Sequence, residues 1–496
     1  SICELIGATC LEKAAMALFT LPLLVAVIPC VLCTTDLAKA PPLVDERIKE
    51  ALLGTSVRNE VTAPEVRPAV DDHKYDNPRT LVVLDPIEMK DSFTRFFKQM
   101  EAAGHRLAYR KVRDSDVDKE MFRHGERAFN NVVLFLRAPF PSSDALRSLF
   151  GQLLSFMDDG GNLLIATGAS VQGNSDGSGD DTAAVASSAQ WKELRTFANE
   201  LGMDLDRRGW VLRDHFAFHG SDEGQHSMIT SDKILRSTPV VDDKALGGPV
   251  AYRGVGHWLS PSNSLTFSIL RASPTTYSAP ASVEEDAGYR GDKQENTFLV
   301  SAMQAHNSAR AVFSGSLDMF SDEFFLLSNV SNSQFCGQLA AWTCHQTGVL
   351  RSINLRHHKY DEESAPYMYR IMDNITFSID IQEIKQGKWV AYMGDDVQVE
   401  FVMLDPYLRL FLDNKASSGT FTTNFKAPDH WGVFKFVIDH RRQGYTFLHI
   451  EEQAPLRNFK HDDYARFIWC AFPYYGSVFS TIAAVVGFSF IFLSSA

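Results

Sequence analysis

Cysteine is absent from the long stretch between Thr34 and Phe335, although the 496-residue chain has seven cysteines. This excludes a catalytic thiol from that stretch, because Cys–His nucleophilic chemistry needs the cysteine itself. Positive charge is also scarce, since 48 Lys and Arg face 61 Asp and Glu, giving a formal net charge of −13. Nucleic-acid binding needs a surplus of Lys and Arg to contact phosphates, so nucleic acid is excluded as a partner.

Charge of either sign is missing from residues 467–496 at the C-terminal end. The run 467–493 would span roughly 40 Å as a helix, which is enough to cross a bilayer with some tilt. Trp469, Tyr474 and Tyr475 stand at its beginning, where an aromatic interface belt is typical. The sequence therefore predicts a single transmembrane helix over 467–493.

A second uncharged run covers residues 14–33 and is followed by Ala38-Lys39-Ala40, a small-x-small pattern. This arrangement predicts a signal peptide over 1–40, with a second membrane helix as the alternative. Residues 41–77 have no clear period and are expected to form a leader. If the signal peptide is removed and one transmembrane helix follows near the C-terminal end, the bulk of the chain lies in the lumen.

Residues 78–350 alternate apolar runs with amphipathic segments. Predicted strands lie at 80–84, 107–109, 131–136, 162–166 and 310–314, and predicted helices carry Phe93 to Met100, Leu146 to Leu153 and Trp191 to Leu201. This order favours a doubly wound, mostly parallel α/β sheet. Residues 210–300 lack a period, so we expect long loops or a subsidiary sheet there.

From 351 to 466 the apolar residues occupy every second position, as in Ile375, Phe377, Ile379 and Ile381. Period two with regularly spaced glycine turns predicts an antiparallel β-sandwich. The expected order is therefore signal 1–40, leader 41–77, α/β domain 78–350, β-sandwich 351–466 and membrane helix 467–493.

Cys336 and Cys344 are the cysteines expected outside the signal peptide and the membrane span. On one helix they would be about 12 Å apart, too far for a disulfide, so a bond would require a loop between them. Asn329-Val-Ser331 and Asn374-Ile-Thr376 are candidate N-glycosylation sites.

A search for catalytic or cofactor chemistry finds only weak candidates. The glycine-rich loop 168–181 fits neither a dinucleotide fingerprint nor a P-loop, and its aspartates would repel phosphate. His215, His219 and His226 near Asp214 could suggest a metal site, but polar loop histidines are the more common case. Asp204-Leu-Asp206 matches the short D-x-D pattern of glycosyltransferases. We expect no catalytic residue, no metal and no cofactor.

Two further segments indicate contacts with other molecules. The basic cluster Arg351, Arg356, His357, His358 and Lys359 could touch lipid head groups or a partner, although a solvated linker is the simpler interpretation. Small residues inside the predicted span permit close helix approach, and we predict that they pack on neighbouring subunits. They are Gly476, Ser477, Ser480, Thr481, Ala483, Ala484 and Gly487.

Several motifs resemble those of the oligosaccharyltransferase 48 kDa subunit family. The longest begins at Arg310 and runs RAVFSGSLDMFSDEFF, and others are GKWV from Gly387, GDDVQVEF from Gly394, GVFKF from Gly432, GYT from Gly444, YARF from Tyr464 and PYY from Pro473. The resemblance covers most of residues 78–493.

This resemblance implies a single-pass protein of the endoplasmic reticulum membrane with an amidotransferase-like luminal domain that lacks the nucleophile. It further implies a non-catalytic role in transferring an oligosaccharide from dolichyl diphosphate to asparagine in Asn-x-Ser/Thr. The implied partners are the polytopic catalytic subunit, other small membrane subunits, the bilayer and the dolichol-linked oligosaccharide. The competing hypothesis is a stand-alone luminal protein that binds or hydrolyses carbohydrate through its α/β domain.

Overall fold

The computed structural model describes residues 78–112, 121–137, 140–168, 181–222, 224–235, 239–280, 297–362, 364–385, 387–414, 418–464, 466 and 468–495. The predicted signal peptide, the leader and most of the acidic loop 168–181 lie outside these residues.

A nine-stranded sheet forms the centre of the α/β part. Short apolar runs such as Leu81–Leu84 are buried on both faces, as parallel strands covered by helices require. The strands of this part are β1 (Arg79–Asp85), β2 (Arg106–Lys111), β3 (Phe122–Arg123), β4 (Glu126–Arg127), β5 (Asn131–Leu136), β6 (Asn162–Thr167), β7 (Met203–Leu205), β8 (Trp210–Arg213), β9 (Ile229–Ser231), β10 (Val250–Tyr252), β11 (His257–Leu259), β12 (Thr266–Arg271), β13 (Tyr277–Pro280), β14 (Phe298–Gln304) and β15 (Arg310–Ser314).

The strand order in the sheet is β2-β1-β5-β6-β15-β14-β11-β7, with β12 also pairing with β14. The five strands from β2 to β15 are parallel, and the other four pair antiparallel. The sheet is therefore mixed rather than mostly parallel. The antiparallel half comes from residues 203–304, where β7 and β11 have three residues each, too few to show a period in the sequence.

Helices cover both faces of this sheet. They are α1 (Thr94–Ala102), α2 (Ser143–Asp158), α3 (Asp181–Glu200), α4 (Asp322–Leu326) and α5 (Asn332–Thr343). Phe96 of α1 and Leu339 of α5 belong to one apolar core, whereas Leu149 of α2 and Phe197 of α3 belong to the core on the other face. The predicted helices at 93–100, 146–153 and 191–201 are confirmed, and Gly104 and Gly202 follow the ends of α1 and α3 with positive φ.

The β-sandwich consists of two five-stranded sheets, in the orders β16-β18-β23-β22 with β19 beside β18, and β17-β25-β24-β20-β21. Alternate residues from both sheets fill a common core, in which the rings of Phe377 and Phe436 lie 4.9 Å apart. One pair, β17 with β25, is parallel. The strands are β16 (Leu350–Lys359), β17 (Tyr369–Arg370), β18 (Asn374–Lys385), β19 (Lys388–Ala391), β20 (Gln398–Val402), β21 (Pro406–Phe411), β22 (Asp413–Asn414), β23 (Thr420–Lys426), β24 (Gly432–His440) and β25 (Leu448–Arg457).

The C-terminal segment is an apolar helix, Trp469–Ser494, of 26 residues with a mean hydropathy of 2.0. Its α-helical portion, α6, is Phe472–Ser494, and none of its residues is buried. At about 1.5 Å per residue, 23 residues extend roughly 35 Å, which matches the hydrocarbon core of a bilayer with some tilt. The helix is therefore long and apolar enough to anchor the protein in a membrane.

Candidate functional site

The carboxyl ends of β1 and β5 mark the point where the strand order of the parallel sheet reverses, which is where α/β proteins hold ligands. Asp85 ends β1, and its carbonyl accepts a hydrogen bond from the backbone N–H of Arg137 just after β5, at 3.2 Å. Asp318, in the loop that follows β15, lies at the same edge and pairs with Arg137 at 3.1 Å. Arg253 pairs with the second carboxylate oxygen of Asp318 at 2.8 Å.

Two guanidinium groups therefore face one carboxylate at this edge. All three side chains are partly exposed, so solvent screens the pairs and their contribution to stability is small. The cluster fixes the loop after β15 against the loops after β5 and β10.

Two hydroxyl groups, one at the end of β15 and one in the loop after it, point into the protein. Ser314 donates to the carbonyl of Ser316 at 3.0 Å, and Ser316 donates to the carbonyl of Arg253 at 2.6 Å. Both serines are buried. A serine nucleophile needs a general base on its hydroxyl, and these two hydroxyls instead donate to backbone carbonyls.

The acidic loop contains one serine motif of a kind found in hydrolases. Gly173-Asn174-Ser175-Asp176-Gly177 matches the Gly-x-Ser-x-Gly pattern of a nucleophile elbow. An elbow places the serine in a sharp turn directly after a strand, whereas Ser175 comes eight positions after the end of β6 at Thr167. The spacing therefore does not fit an elbow, and the motif lies outside the described residues.

Among the histidines considered as metal ligands, His215 and His226 lie together with their ring centroids 4.6 Å apart, whereas His219 makes a separate contact. His215 Nε2 lies 2.7 Å from the Tyr277 hydroxyl, and His219 Nε2 lies 3.1 Å from the carbonyl of Ser328. Asp214 accepts hydrogen bonds from two backbone amides and from the hydroxyls of Thr275 and Thr276. Within the described ranges, no group of three or more His, Cys, Asp or Glu side chains has a metal-binding arrangement.

The two carboxylates of the D-x-D pattern also serve different partners. Asp204 forms a salt bridge with Arg195 of α3 at 2.7 Å. Asp206 is buried and accepts from the Ser278 hydroxyl and from the backbone N–H of Arg207. Each carboxylate therefore bonds to a different element, Asp204 to α3 and Asp206 to β13.

The basic cluster 351–359 is not a solvated linker, which corrects that interpretation. It forms most of β16, the first long strand of the sandwich, and pairs with β18. Arg351 stacks on Trp389 at 3.9 Å, and His357 Nδ1 lies 2.7 Å from the Tyr369 hydroxyl. Burial lowers the pKa of His357.

Cys336 lies within α5, and Cys344 directly follows the end of that helix. Both are free thiols, so the disulfide considered above does not form. Each side chain is buried, and burial raises the pKa of both thiols, that of Cys344 to about 12.

The α/β part and the sandwich are joined by a buried arginine that the sequence did not single out as functional. Arg310, fully buried at the start of β15, donates to the carbonyls of Trp342 at 2.5 Å, Thr347 at 2.8 Å and Gly348 at 2.8 Å. Its guanidinium also stacks on the Trp342 ring at 4.6 Å. Arg310 also donates to the carbonyl of Gly444 in the sandwich at 3.4 Å, and the indole N–H of Trp342 donates to the same carbonyl at 2.7 Å.

A chain of buried polar side chains crosses the amino ends of the parallel strands. The Asn162 amide donates to Asn131 at 2.9 Å, and the Asn131 amide donates to Thr80 at 3.3 Å. Thr80 contacts His105 Nδ1 at 3.1 Å. Burial lowers the pKa of His105 to about 4, so this imidazole is neutral near pH 7.

The candidate glycosylation sites both lie on the surface. Asn329 follows α4 and is exposed with a φ of 62°, and Asn374 is exposed at the first position of β18.

Comparison with known proteins shows two family matches. Residues 72–346 match the model described as OST48, N-terminal domain, and residues 357–496 match the OST48 middle domain. The chain belongs to the OST48 family.

Relatives of this OST48 chain are named dolichyl-diphosphooligosaccharide–protein glycosyltransferase 48 kDa subunit. The Arabidopsis thaliana protein is 34% identical over 435 residues, which covers 84% of this chain and 94% of the relative. The Drosophila melanogaster protein is 36% identical over 433 residues, covering 84% and 90%, and the Danio rerio protein is 33% identical over 428 residues, covering 84% and 91%. Among solved structures, a putative ThuA-like protein from Parabacteroides merdae matches 54% of this OST48 chain and 90% of its own length, with 11% identity and a TM-score of 0.28.

Proposed function

We propose that this OST48 chain is a non-catalytic subunit of the oligosaccharyltransferase complex. It would support transfer of an oligosaccharide from dolichyl diphosphate to asparagine in Asn-x-Ser/Thr. The observation that carries the proposal is the match of relatives named as the 48 kDa subunit along 84% of the chain. The serine hydroxyls that donate to carbonyls at the edge of the parallel sheet support a role without chemistry of its own.

The proposed topology has an N-terminal signal, an α/β luminal domain to about residue 350, a luminal sandwich to about 466 and the membrane helix. The location is the endoplasmic reticulum membrane. The α/β domain would be an amidotransferase-like fold without the nucleophile, and the helices on both faces of its sheet support this assignment. Two folded luminal domains followed by one apolar helix are consistent with a subunit that binds other membrane proteins.

The proposed partners are the polytopic catalytic subunit and other small membrane subunits, which would contact the small-residue face of α6. Gly476, Ser480, Ala483, Ala484 and Gly487 follow the spacing of one helix face. Without larger side chains on that face, a neighbouring helix can approach closely.

Purification of the tagged full chain from membranes in a mild detergent tests the proposal. The polytopic catalytic subunit is expected to co-purify, and the isolated chain is expected to show no glycan transfer or hydrolysis. A chain that purifies alone and turns over a glycosidic or amide bond would favour the stand-alone hypothesis instead.

A further inference from the structure

One end of the β-sandwich carries large exposed apolar side chains. We call it the anchor end and define it as residues 364–373, 403–406, 427–433 and 457–464. Tyr367 is 91% exposed, Leu404 is 89% exposed and Trp431 is 70% exposed. Met368, Met372 and Val433 are also exposed there.

Strand register places these segments together. Gly432 of β24 and Tyr369 of β17 both pair with Leu456 of β25. Met403, which follows β20, lies against Gly432, because a Cβ on that glycine would be 2.7 Å from the Met403 sulfur. The ring of Tyr407 lies 5.3 Å from that of His430. The exposed residues therefore share one end of the sandwich.

The opposite end of the sandwich faces the α/β part. The backbone N–H of Thr446 donates to the carbonyl of Gly348 at 3.0 Å, and the indole N–H of Trp342 in α5 donates to the carbonyl of Gly444 at 2.7 Å. Strands β24 and β25 run between the two ends and have nine and ten residues, so the ends are about 30 Å apart. The anchor end is consequently the part of the sandwich remote from the α/β sheet.

The connection from the anchor end to the membrane helix is short and partly fixed. Asp463 forms a salt bridge with Arg457 at 2.6 Å and lies 3.6 Å from Arg370. The Arg457 guanidinium beside it holds the pKa of the Asp463 carboxyl at about 2, so this pair persists near pH 7. Trp469 comes six positions after Asp463, a distance of at most about 22 Å.

The bilayer crossed by α6 must therefore begin close to the anchor end. Trp, Tyr and Met side chains suit the interface, because they combine an apolar body with a polar or polarisable part. Acidic residues such as Asp405 and Asp429 accompany the basic ones, so the surface is not a polybasic patch for anionic lipid. Apolar insertion, rather than charge attraction, is the contact that this composition fits.

We propose that the anchor end rests on the membrane and inserts Tyr367, Leu404 and Trp431 into the head-group region of the bilayer. This proposal rests on the membrane topology proposed above. The contact would hold the sandwich upright on the bilayer and keep the α/β part about 30 Å from its surface.

The test uses the full chain assembled in its native complex and reconstituted in neutral phosphatidylcholine vesicles. In a Cys470→Ala background, an environment-sensitive fluorophore is attached at Leu404→Cys or Trp431→Cys. Phe411→Cys is the matched control, because Phe411 is also exposed and apolar but lies at the far end of β21, about 17 Å from Pro406. The Cys470→Ala chain without a new cysteine gives the blank.

Head-group nitroxide lipids are expected to quench the probes at 404 and 431 several-fold more than the probe at 411, and aqueous iodide is expected to show the reverse order. Adding anionic lipid or salt should leave this pattern unchanged. Equal iodide quenching at all three positions would overturn the proposal. The proposal would also be overturned if the probes at 404 and 431 were shielded from both quenchers and a benzophenone at either position cross-linked to protein. The anchor end would then contact another subunit instead of lipid.

Two readouts separate this proposal from the proposed function. Resistance to alkaline extraction reports whether α6 anchors the chain, and co-purification reports whether the complex has formed. If both succeed while the lipid quenching fails, only the membrane contact of the anchor end is wrong.

Discussion

Replacing Arg310 with methionine tests whether one buried guanidinium holds the α/β part against the sandwich. The side chain of methionine fills much of the same space but cannot donate hydrogen bonds. The substitution strands three carbonyls that now accept short bonds, those of Trp342, Thr347 and Gly348. It also removes the stacking on the Trp342 ring.

We expect a large loss in the free energy of unfolding, because the guanidinium and most of the carbonyls it contacts are buried away from water. A hydrogen bond to a charged group contributes about 1.5–3 kcal/mol, so the three short bonds contribute at most about 9 kcal/mol, to which the longer bond to the Gly444 carbonyl adds. Relief from burying the charge, together with relaxation of the loop 344–349, offsets part of this, and we expect a net loss of about 3–5 kcal/mol.

The measurement is thermal and urea unfolding of the detergent-solubilised full chain, with limited proteolysis as a second readout. Arg310→Met should lower the midpoint by several degrees and expose the 344–349 connection to protease. Arg409→Met is the control, because Arg409 pairs with Glu400 at 2.7 Å on the surface and its side chain is 60% exposed. That change should cost about 1 kcal/mol or less. Equal destabilisation by the two substitutions would refute the role assigned to Arg310.

Three other predictions concern the membrane helix, the surface asparagines and a buried histidine. Gly487→Leu should reduce co-purification of membrane subunits several-fold, whereas Val485→Leu, about half a turn away, should leave recovery unchanged; equal recovery would exclude a packing role for that face. Asn329→Gln and Asn374→Gln should each shift the gel mobility of the membrane-expressed chain by one glycan, and a mobility unaffected by either change would show that the sites are unoccupied. Because burial lowers the pKa of His105 to about 4 while the unfolded value is near 6.5, stability should be constant above about pH 7 and fall by about 2 kcal/mol at pH 5. Thermal midpoints at the two pH values measure this loss, and His105→Gln should flatten the dependence if the assignment is correct.

Features that depend on local pattern could be predicted from the sequence. The uncharged C-terminal run forms an apolar helix as predicted. Its length and composition are visible in the sequence, and they match the thickness of a bilayer. The run Asn131–Leu136 is a buried strand as predicted, and Ile375 to Ile381 alternate into the sandwich core within β18. In each case neighbouring residues carry the signal, through the period of a helix or strand.

Features that depend on distant pairing could not be predicted in this way. Short strands such as His257–Leu259 carry no period of their own and are strands only because β14 and β7 lie beside them. The charged side chains of the basic run 351–359 are typical of a solvated segment, so the sequence alone indicates a linker. The pairing of this run with β18 is visible only in the structure.

Sequence by itself determined the apolar anchor, the order of α/β part and sandwich, and the motifs that resemble the OST48 family. Tertiary structure alone decided that Arg310 meets carbonyls more than 30 positions away, and that Tyr367, Leu404 and Trp431 share one end of the sandwich. The physical reason is that a side chain's chemistry is local, whereas its partners and its exposure depend on which strands the chain brings together.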